Sequence, residues 1–414
     1  MFNNRIIKKL NKTLRYFDEL IEIERTAHDD ASIWNQLNSS NKKSLSKLTE
    51  VPSPTDNNQR RAFFMNGQFN YHSDIQDFLK NLYPKLSRFD RVYAVTYNPY
   101  LYSLFSFYNK FRVKKIPTPT TFLTRASLHD VARVAGFELV QVRPVLFWGI
   151  DAIPFIRNLA WKWIVVLRPI KKLQAAPKLS IVIPARNESG NIENAITQLP
   201  KLNCPFELIF VEGNSTDDTW NEILRVQKKY ENQFEIKIAK QTGKGKNNAV
   251  RKGFEIASGD LLTILDADLT MPPEKLPLFV DAFLDGHGDF INGDRLVYPM
   301  ENNAMRFLNR LGNIFFAKAL SFTLDTRLGD SLCGTKMFTK RDYERIVRWR
   351  GDFGDFDPFG DFEFLFGATI LNLGIVDMPI RYKERVYGET NIHRFRHGFQ
   401  LLRMTLIGLF RIRA

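Results

Sequence analysis

From residue 178 onward, short continuous runs of apolar residues alternate with longer stretches in which apolar positions recur every three or four residues. Continuous β-branched runs are typical of parallel strands covered on both faces, and the longer stretches have the period of amphipathic helices. The pattern therefore predicts an α/β domain with a mostly parallel sheet. The predicted strand and helix pairs are LSIVIPA with NIENAITQL, FELIFVEG with TWNEILRVQKKY, FEIKIAK with NNAVRKGFEIA, and DLLTILDAD with PEKLPLFVDAFL.

The pattern before residue 178 is less regular. Residues 1–60 are polar and rich in Asn, Ser and Lys, which predicts a weakly ordered basic arm with some helix near its start. Residues 61–147 are more apolar and predict a small domain. It contains a strand at 88–98 and, over 127–145, a helix, a glycine turn and a second strand.

Two segments have the composition of elements that lie on a membrane surface. Residues 148–177 join an apolar, Trp-containing stretch to basic residues, which fits an interfacial helix and linker, or a core helix before a linker. Residues 393–414 alternate Arg and His with Leu, Ile, Met and Phe. This predicts a basic amphipathic helix at an anionic membrane surface, with a core helix as the alternative. Neither segment predicts a membrane span.

The charge and the cysteine content narrow the possible partners and compartment. The formal net charge is +14 and the pI is about 9.6. We therefore expect an anionic partner: a lipid surface, a nucleotide, a polyanionic substrate or a nucleic acid. Cys204 and Cys333 are the only cysteines, which predicts neither a disulfide framework nor a zinc site. The N-terminus lacks the apolar region of a signal peptide, so a reducing cytosol is expected.

The most informative chemistry follows the fourth predicted strand. Asp266 and Asp268 are two residues apart, so their side chains point to the same side of the strand end. Two carboxylates held together repel each other unless a cation joins them, and oxygen ligands favour Mg²⁺ or Mn²⁺. Such an ion bridges the diphosphate of a nucleotide. The alternative is a pair of aspartates that cap the next helix.

The loops after the second and third strands carry groups suited to a nucleotide. The glycine-punctuated basic loop GKGKNNAVRKG (243–253) runs into a helix, which suits phosphate binding, although a solvated loop has the same composition. In EGNSTDDT (212–219), two acidic residues are candidates for hydrogen bonds to a base or ribose. Ser215, Thr216 and Asp217 can also cap the next helix, and capping is the expected role of Ser215 and Thr216. The candidate ligands are Lys244, Lys246 and Arg251 for phosphate, and Glu212 and Asp217 for the nucleoside.

Five motifs in this part of the chain resemble those of family 2 glycosyltransferases, which have the nucleotide-diphospho-sugar transferase (GT-A) fold. They are, in order, SIVIPARNESGNIENAI, FVEGNSTDDT, GKGKNNAVRKGFEIASGDLLTILDADLTMPPE, GDRLVYPME and RYKERVYGETNI. Within the family they are most similar to the dolichol- or polyprenyl-phosphate mannose synthases. The resemblance covers roughly residues 178 to 400 and implies a GT-A domain over 178–392.

The resemblance also implies roles for individual residues. Asp266 and Asp268 match the pair that binds the metal and the donor diphosphate, and Thr270 stands where Gln is often found. Gly213 replaces the second acidic residue of the family's base-binding motif, which leaves the base open. Further nucleotide contacts are implied for Pro184, Ala185, Asn187, Glu188 and Glu212. Contacts with the acceptor phosphate are implied for Arg295, Arg306, Arg310 and Arg385.

The implied reaction moves a hexose from GDP-mannose or UDP-glucose to a polyprenyl or dolichyl phosphate, with inversion at the anomeric carbon. A lipid phosphate is already anionic near neutral pH, because its second ionisation lies at about 6, and it needs little base catalysis. Asp330 is expected to orient the acceptor or the metal, with a loop cap as the alternative. A hydroxyl acceptor on a glycan or lipid would need a base, for which Asp361 is the first candidate. With Asp268, these are the predicted catalytic residues of an enzyme on the cytoplasmic face of a membrane.

Residues 60–147 resemble the latter half of a class I S-adenosylmethionine-dependent methyltransferase. The glycine-rich loop of the earlier half is missing from residues 1–60, so we expect a truncated domain without methylating activity. Outside the enzymes, the alternative is a basic nucleic-acid-binding or scaffold protein. No RNA-binding motif is present, and the acidic strand ends would repel phosphate without a metal. We therefore expect no nucleic acid among the partners.

Overall fold

The computed structural model describes residues 2–25, 31–54, 59–103, 107, 119–146, 159–299, 307–353, 360–385, 387 and 394–413. The chain divides into two compact units, and each is described separately. The first comprises Met1–Lys171, Ile370–Gly374 and Leu409–Ala414, and the second comprises Lys172–Thr369 and Ile375–Gly408. Within the described ranges, every helix is too short or too polar to cross a bilayer.

The first unit is built on a sheet of six described strands in the order β2-β1-β3-β4-β6-β5, in which β6 is antiparallel to both its neighbours. Its elements are α1 (Phe2–Leu14), β1 (Glu19–Ile23), α2 (Ala31–Asn35), β2 (Lys42–Leu45), β3 (Arg61–Asn66), α3 (Gln68–Tyr71), α4 (Ile75–Leu82), β4 (Arg91–Tyr97), α5 (Arg125–Val134), β5 (Phe137–Val145) and β6 (Lys162–Pro169).

Apolar side chains cover both faces of this sheet. Phe63 and Val92 belong to one buried cluster, whereas their chain neighbours Phe64 and Tyr93 belong to a second cluster on the other face. Successive residues of a strand point to opposite faces, so a strand that is buried twice needs a continuous apolar run. The predicted strand at 88–98 and the helix, turn and strand over 127–145 are confirmed, with Gly136 in the turn at φ 88°.

The prediction of a weakly ordered arm over 1–60 is wrong for the described residues. β1 has the sequence ELIEI, and its polar positions Glu19 and Glu22 are each only 2% exposed. Glu19 pairs with Lys43 at 2.6 Å, and Glu22 accepts a hydrogen bond from Ser44 at 2.9 Å. These partners come from the neighbouring strand β2, so both glutamates can be buried with their polar groups satisfied. A polar composition is therefore compatible with a buried strand here.

The prediction of an interfacial helix within 148–177 is wrong where the structure describes that part, whereas residues 170–177 contain no helix or strand and include the boundary between the two units, as the predicted linker requires. Lys162–Pro169 is strand β6, and its side chains from Trp163 to Pro169 are buried between β4 and β5. Residues 148–158 lie outside the described residues. The apolar stretch is therefore explained in part by a central strand of the first unit, since a strand with two neighbours and two covered faces is apolar along its length.

The second unit contains a sheet of seven described strands in the order β13-β11-β12-β10-β7-β8-β9, parallel except that β12 runs antiparallel to both its neighbours. Its elements are β7 (Leu179–Ala185), α6 (Ile192–Thr197), β8 (Phe206–Glu212), α7 (Thr219–Tyr230), β9 (Ile236–Lys240), α8 (Lys246–Ile256), β10 (Leu261–Ile264), α9 (Leu276–Leu284), β11 (Phe290–Asp294), α10 (Phe307–Leu324), β12 (Lys336–Thr339), α11 (Lys340–Phe353), α12 (Gly360–Ile370), β13 (Ile375–Pro379) and α13 (Arg394–Gly408).

The predicted mostly parallel α/β sheet is confirmed, and its strand order places the candidate site. β7 lies between β8 and β10, so the chain order reverses on either side of β7. In open parallel sheets such a reversal opens a crevice at the carboxyl ends of the strands. The residues that follow the strands remain tied together there: Leu265 N donates to Val182 O at 2.9 Å, and Gly213 N donates to Ala185 O at 2.8 Å.

A glycine lets helix α8 lie directly on β7. A Cβ built on Gly253 would be 2.3 Å from Cγ1 of Val182, closer than real side chains approach. Any larger residue at Gly253 would push the helix away from the sheet. Since α8 begins at Lys246, this contact sets the position of that lysine at the carboxyl edge of the sheet.

A buried carboxylate holds the opposite, amino edge of the sheet. Glu207 is fully buried, and it accepts hydrogen bonds from Ser180 Oγ at 2.6 Å and from Ser258 N at 2.7 Å. Lys237 Nζ lies 2.7 Å from its second oxygen. Burial raises the pKa of Glu207, but the hydrogen bonds from Lys237, Ser180 and Ser258 outweigh it and hold the pKa below its ordinary value.

We expect Glu207→Gln to destabilise the second unit by about 2 kcal/mol at pH 7, below the value for a fully buried pair because Lys237 is partly exposed. A lowered carboxyl pKa gives stability that is present above the unfolded pKa and is lost as the pH falls. The difference from the wild type should therefore shrink below about pH 4. Urea unfolding at pH 7 and below about pH 4 measures the difference in unfolding free energy between the variant and the wild type. Glu255→Gln, at an exposed position, is the control. Equal losses at both pH values would contradict the assignment.

Candidate active site

The acidic pair lies in a tight turn directly after β10. Leu269 has a positive φ of 54°, and its N–H donates to the carbonyl of Asp266 at 3.1 Å. The side chains of Asp266 and Asp268 are 25% and 12% exposed, so both carboxylates lie at the surface edge of the sheet rather than in the core. The predicted placement of two carboxylates at the carboxyl end of this strand is present in the structure.

Each aspartate of the pair has its own cation. Lys246, the first residue of α8, forms an ion pair with Asp266, and Arg385 Nη2 lies 2.5 Å from Oδ2 of Asp268. Thr270 donates to Oδ1 of Asp268 from its backbone N–H at 3.1 Å and from its hydroxyl at 2.8 Å. Thr270 therefore supports Asp268, and its predicted role as a metal ligand stays a prediction.

The pairing of Lys246 is reinforced by its surroundings. Desolvation lowers the pKa of Lys246, but the carboxylates of Asp266 and Asp361 outweigh it and raise the pKa above its ordinary value. A Cβ on Gly334 would lie 2.3 Å from both Asp266 Oδ2 and Lys246 Nζ. The loop before β12 thus passes directly over this ion pair, and a larger residue at Gly334 would force the two charged groups to shift.

The turn after β7 is tied to the loop after β8. Asn187 has a positive φ of 56°, and its side-chain oxygen accepts from the backbone N–H of Thr216 at 2.8 Å. Ser215 Oγ accepts from the N–H of Asn187 at 3.1 Å. The expectation that Ser215 and Thr216 cap α7 is wrong, because both bind Asn187 instead. The side chain of the N-cap residue Asp218 makes no cap hydrogen bond, and the first N–H of the helix, that of Thr219, is bound by Asp217.

Glu188 is a buried carboxyl beside the acidic pair. It is 7% exposed, and it accepts from Asn191 Nδ2 at 2.7 Å and from Arg385 Nη1 at 3.4 Å. Burial raises the pKa of Glu188 to about 7, opposed by Asn191 and Arg385 and reinforced by the negative charge of Asp268. Glu188 therefore changes its charge near neutral pH, next to the arginine that also pairs with Asp268.

The two acidic residues predicted to bind a nucleoside hold the β8 loop together. Glu212 is 4% exposed and accepts from the N–H of Ser215 at 2.5 Å. Asp217 accepts from Ser189 N at 3.3 Å and from Thr219 N at 3.0 Å. Burial raises the pKa of Asp217, but the hydrogen bonds from Thr219 and Ser189 outweigh it and lower the pKa. Both carboxylates accept hydrogen bonds from backbone groups of the loop at the mouth of the crevice.

Asp330 and Arg295, predicted to act on the acceptor, are paired with each other. Arg295 donates to Asp330 from Nε at 2.6 Å and from Nη2 at 3.0 Å, and Asp330 is fully buried. Desolvation raises the pKa of Asp330, but Arg295 outweighs it and lowers the pKa. The Arg295 guanidinium also lies 5.3 Å from the ring centre of Tyr382. The Arg295 side chain is 11% exposed, so most of its surface contacts other groups of the protein rather than solvent.

Asp361 and Arg251 are likewise held by neighbouring charges. Asp361 lies 3.1 Å from Nζ of Lys336, whose side chain is fully buried in β12. Two residues further along α12, Glu363 forms ion pairs with Arg251 and, at 2.7 Å, with Arg350. Positions two apart on a helix point in different directions, so Asp361 and Glu363 serve different partners.

The remaining predicted residues lie at or beyond the edge of this cluster. Pro184 and Ala185 end β7, and Lys244 is exposed in the loop before α8. Arg310 is exposed on α10, and among the described residues it has no ion pair with the cluster. Arg306 lies outside the described residues. The structure thus brings together Asp266, Asp268, Thr270, Lys246, Glu188, Asp361 and Arg385, and it leaves Arg310 apart.

Three residues of the cluster were not predicted: Lys336, Glu363 and Tyr387. The signal for Lys336 was a lysine within an otherwise apolar strand, since a buried lysine needs a carboxylate partner. Tyr387 lies over the β7 turn, where its hydroxyl is 3.0 Å from Ser189 Oγ. A Cβ on Gly190 would be 2.8 Å from the Tyr387 ring. No local pattern marks that contact, which joins residues far apart in sequence.

The raised pKa of Glu188 predicts a pH-dependent stability. A carboxyl whose folded pKa exceeds its unfolded value stabilises the fold at low pH, and that contribution is lost as the pH rises through the folded pKa. We expect the free energy of unfolding of the metal-free wild type, measured relative to that of Glu188→Gln, to fall by about 2 kcal/mol between about pH 4 and pH 8. Urea unfolding across this range measures it, with the exposed Glu231→Gln as control. A difference that is constant with pH would show that Glu188 stays ionised.

Residues 180–347 match the model of the family described as glycosyl transferase family 2. Among curated proteins, a dolichol-phosphate mannosyltransferase of Pyrococcus furiosus is 34% identical over 123 residues, which cover 29% of this chain and 34% of the relative. A dolichyl-phosphate hexose transferase of Haloferax volcanii is 28% identical over 221 residues, covering 53% of this chain and 89% of the relative.

Among solved structures, one similar structure is a mannosyltransferase from Pyrobaculum calidifontis in complex with GDP-Man and Mn2+. The alignment covers 59% of this chain and 68% of the mannosyltransferase chain, at 18% identity and a TM-score of 0.41. The chain spans only about a third of the Pyrococcus relative, at 34%, and most of the Haloferax relative, at 89%. The family match falls on the unit that contains the acidic pair and its cations. Residues 180–347 are therefore a family 2 glycosyltransferase domain.

Proposed function

We propose that this chain transfers a hexose from a nucleotide-diphospho-sugar to a polyprenyl or dolichyl phosphate. The observation that carries the proposal is the cluster after β10, in which two carboxylates and two cations share one edge of the sheet. Two relatives named for dolichol-phosphate sugar transfer support the choice of acceptor, and one of them aligns over 89% of its length. The sugar is mannose or glucose, carried by GDP or UDP.

A divalent cation fits the acidic pair. Asp266 and Asp268 supply the oxygen ligands that Mg²⁺ and Mn²⁺ prefer. In the described part of the chain no group of three or more metal-binding side chains occurs, so water and the donor would complete the coordination. When bound, the ion would neutralise charge on the departing diphosphate. The chain itself contributes a positive charge, that of Lys246. This residue begins α8 and forms an ion pair with Asp266, so its ammonium lies beside the proposed metal site.

The reaction requires one substitution at the anomeric carbon. An oxygen of the lipid phosphate forms the new bond to that carbon, and the bond to the donor diphosphate breaks, so that the nucleoside diphosphate leaves with the electron pair. Because the acceptor oxygen is already anionic, no proton has to be removed. Arg385 and Lys246 are partly exposed cations beside the acidic pair. They can stabilise the negative charge of the departing diphosphate and of the acceptor phosphate. A single displacement inverts the configuration at the anomeric carbon.

The geometry favours a phosphate acceptor over a hydroxyl acceptor. A hydroxyl would need Asp361 as a base, yet Asp361 is held 3.1 Å from the buried ammonium of Lys336. This ion pair occupies one oxygen of the Asp361 carboxylate, which leaves it less available to accept a proton from a hydroxyl. The same cluster argues against a nucleic-acid binder, since acidic groups at the crevice would repel a phosphate backbone unless a metal were bound.

A basic apolar helix supports a membrane location for the acceptor. On α13, Phe399, Leu402 and Leu406 are 71%, 40% and 46% exposed, and their spacing of three and four places them on one face. Arg403 is exposed beside them, and α13 contains no acidic residue. Such a face binds the surface of a bilayer that contains anionic lipids. We propose peripheral attachment at the cytoplasmic face.

Substitution of the acidic pair tests the proposed reaction. We expect Asp266→Asn to lower kcat/KM for transfer from the active donor by about 10²- to 10³-fold, because it removes a metal ligand and the partner of Lys246. The assay presents GDP-mannose and UDP-glucose with undecaprenyl phosphate and Mn²⁺. Asp260→Asn, exposed at the start of β10, is the matched control and should retain activity. Full activity of Asp266→Asn would exclude the pair from catalysis.

Substitution of the exposed face of α13 tests the membrane proposal. We expect the double variant Phe399→Glu with Leu406→Glu to bind vesicles of phosphatidylcholine and phosphatidylglycerol at least about tenfold more weakly, since each side chain contributes about 1.5 to 3 kcal/mol when buried. Leu224→Glu, 40% exposed on α7, is the control and should not alter binding. Vesicle flotation measures both. Unchanged binding of the double variant would remove α13 from the membrane contact.

A further inference from the structure

The chain returns to the first unit between two elements of the second unit. Helix α12 ends at Ile370 and strand β13 begins at Ile375. The residues between these elements belong to the first unit, and we call Ile370–Gly374 the return turn. Its two leucines, Leu371 and Leu373, are buried. A buried turn needs partners for its polar backbone groups, so the contacts of the return turn decide how firmly it is held.

Asn372 follows the end of helix α12, and its main chain and side chain are both bound. Its φ is 52°, the left-handed conformation that often terminates a helix and that Asn and Gly adopt most readily. Its carbonyl accepts from Arg91 Nε at 2.7 Å. Its side-chain nitrogen donates to the Tyr93 hydroxyl at 2.8 Å, and its side-chain oxygen accepts from Arg143 Nη2 at 3.4 Å. Strands β4 and β5 of the first unit therefore hold this one residue.

The groups that hold the return turn are themselves fixed in the first unit. Arg91 and Tyr93 are buried, and the Tyr93 ring packs edge-on against Phe17 with ring centres 5.8 Å apart. A Cβ on Gly374 would lie 2.2 Å from Nε of the buried Arg168, so a larger residue there would displace that arginine. Positive groups near the C-terminal end of a helix interact favourably with its last carbonyls. The first unit thus presents a buried, basic surface that fits the end of α12.

Helix α12 carries charges that act on the start of α8. Glu363 on α12 forms an ion pair with Arg251 on α8, and α8 begins at Lys246, the partner of Asp266. The negative charge of Asp361, also on α12, attracts Lys246 as well. A displacement of α12 would therefore move the charges that face Lys246, where we propose that the donor diphosphate binds.

We propose that the first unit holds helix α12 in place for the transferase, and that Asn372 is a positioning residue for the donor. The contacts of Asn372 fix the end of α12, and the charges of α12 fix the start of α8 beside the acidic pair. This inference rests on the proposed function. It gives the first unit a role that needs neither a ligand of its own nor methylating activity. The residue concerned lies outside the range 180–347 that matches the family.

The first test compares Asn372→Gly with Asn372→Asp. Glycine keeps the left-handed backbone and the carbonyl that binds Arg91, but it removes both side-chain contacts. Aspartate has nearly the same size, and it can accept from the Tyr93 hydroxyl and from Arg143. We expect Asn372→Gly to raise the KM for the nucleotide sugar at least about threefold and to lower kcat/KM at least about fivefold. Asn372→Asp should keep both values within about twofold of the wild type.

Steady-state kinetics with varied nucleotide sugar measures both values, at a temperature where circular dichroism shows each variant folded. A smaller folded fraction would lower kcat but leave KM unchanged, so KM separates positioning from a loss of folded protein. Val165→Ala is the matched control, because Val165 is buried in the first unit on the sheet face opposite Tyr93. It should destabilise the first unit and leave KM within about twofold of the wild type. An unchanged KM in Asn372→Gly, or an equal rise in Val165→Ala, would overturn the proposal.

Hydrogen exchange tests the holding of α12 without the reaction. In Asn372→Gly we expect the amides of α12 and β13 to exchange at least about tenfold faster, whereas those of α7 should be unchanged. Equal exchange of α12 in the variant and the wild type would also overturn the proposal. A wild-type chain that transfers no sugar from either donor would refute the proposed function, and exchange would still show whether Asn372 holds α12. Wild-type kinetics in an active Asn372→Gly enzyme would refute only the positioning role.

Discussion

The site depends on the neutralisation of two carboxylates at the end of one strand. Asp266 and Asp268 would repel each other at this spacing, and the chain balances them with Lys246 and Arg385. Each cation comes from a different part of the second unit, the first from the start of α8 and the second from the segment after β13. In the proposed reaction, these two cations are the ones that would meet the donor diphosphate and the acceptor phosphate.

This arrangement links the specialised features of the second unit. Gly253 lets α8 lie close to β7, which sets the position of Lys246. Gly334 lets the loop before β12 pass over the pair of Lys246 and Asp266 without pushing it apart. Asp330 holds Arg295, and Arg295 in turn contacts Tyr382, which lies in the same segment as Arg385. These contacts lead from the buried Asp330 to the segment whose Arg385 pairs with Asp268.

The sequence was sufficient where local pattern determines structure. The continuous apolar runs of β7, β8 and β10 and the polar residues after them placed Asp266, Asp268, Glu188 and Lys246 at one edge of a parallel sheet. It was insufficient where a partner comes from far along the chain. Arg385 meets Asp268 across 117 residues of sequence, and no local periodicity encodes such a pairing. The first unit was misjudged for the same reason, because Glu19 and Glu22 made β1 look polar while β2 supplied their partners.

The edges of the two sheets explain part of the excess of positive charge. In the first unit the edge strand β2 has the sequence KKSL, and in the second the edge strand β9 has the sequence IKIAK. Unpaired backbone groups on an edge strand invite pairing with a strand of another molecule, and lysines on short edge strands discourage it. The lysines of β2 and β9 are therefore suited to discourage pairing at these edges, in addition to the ion pairs that Lys43 and Lys237 make with Glu19 and Glu207.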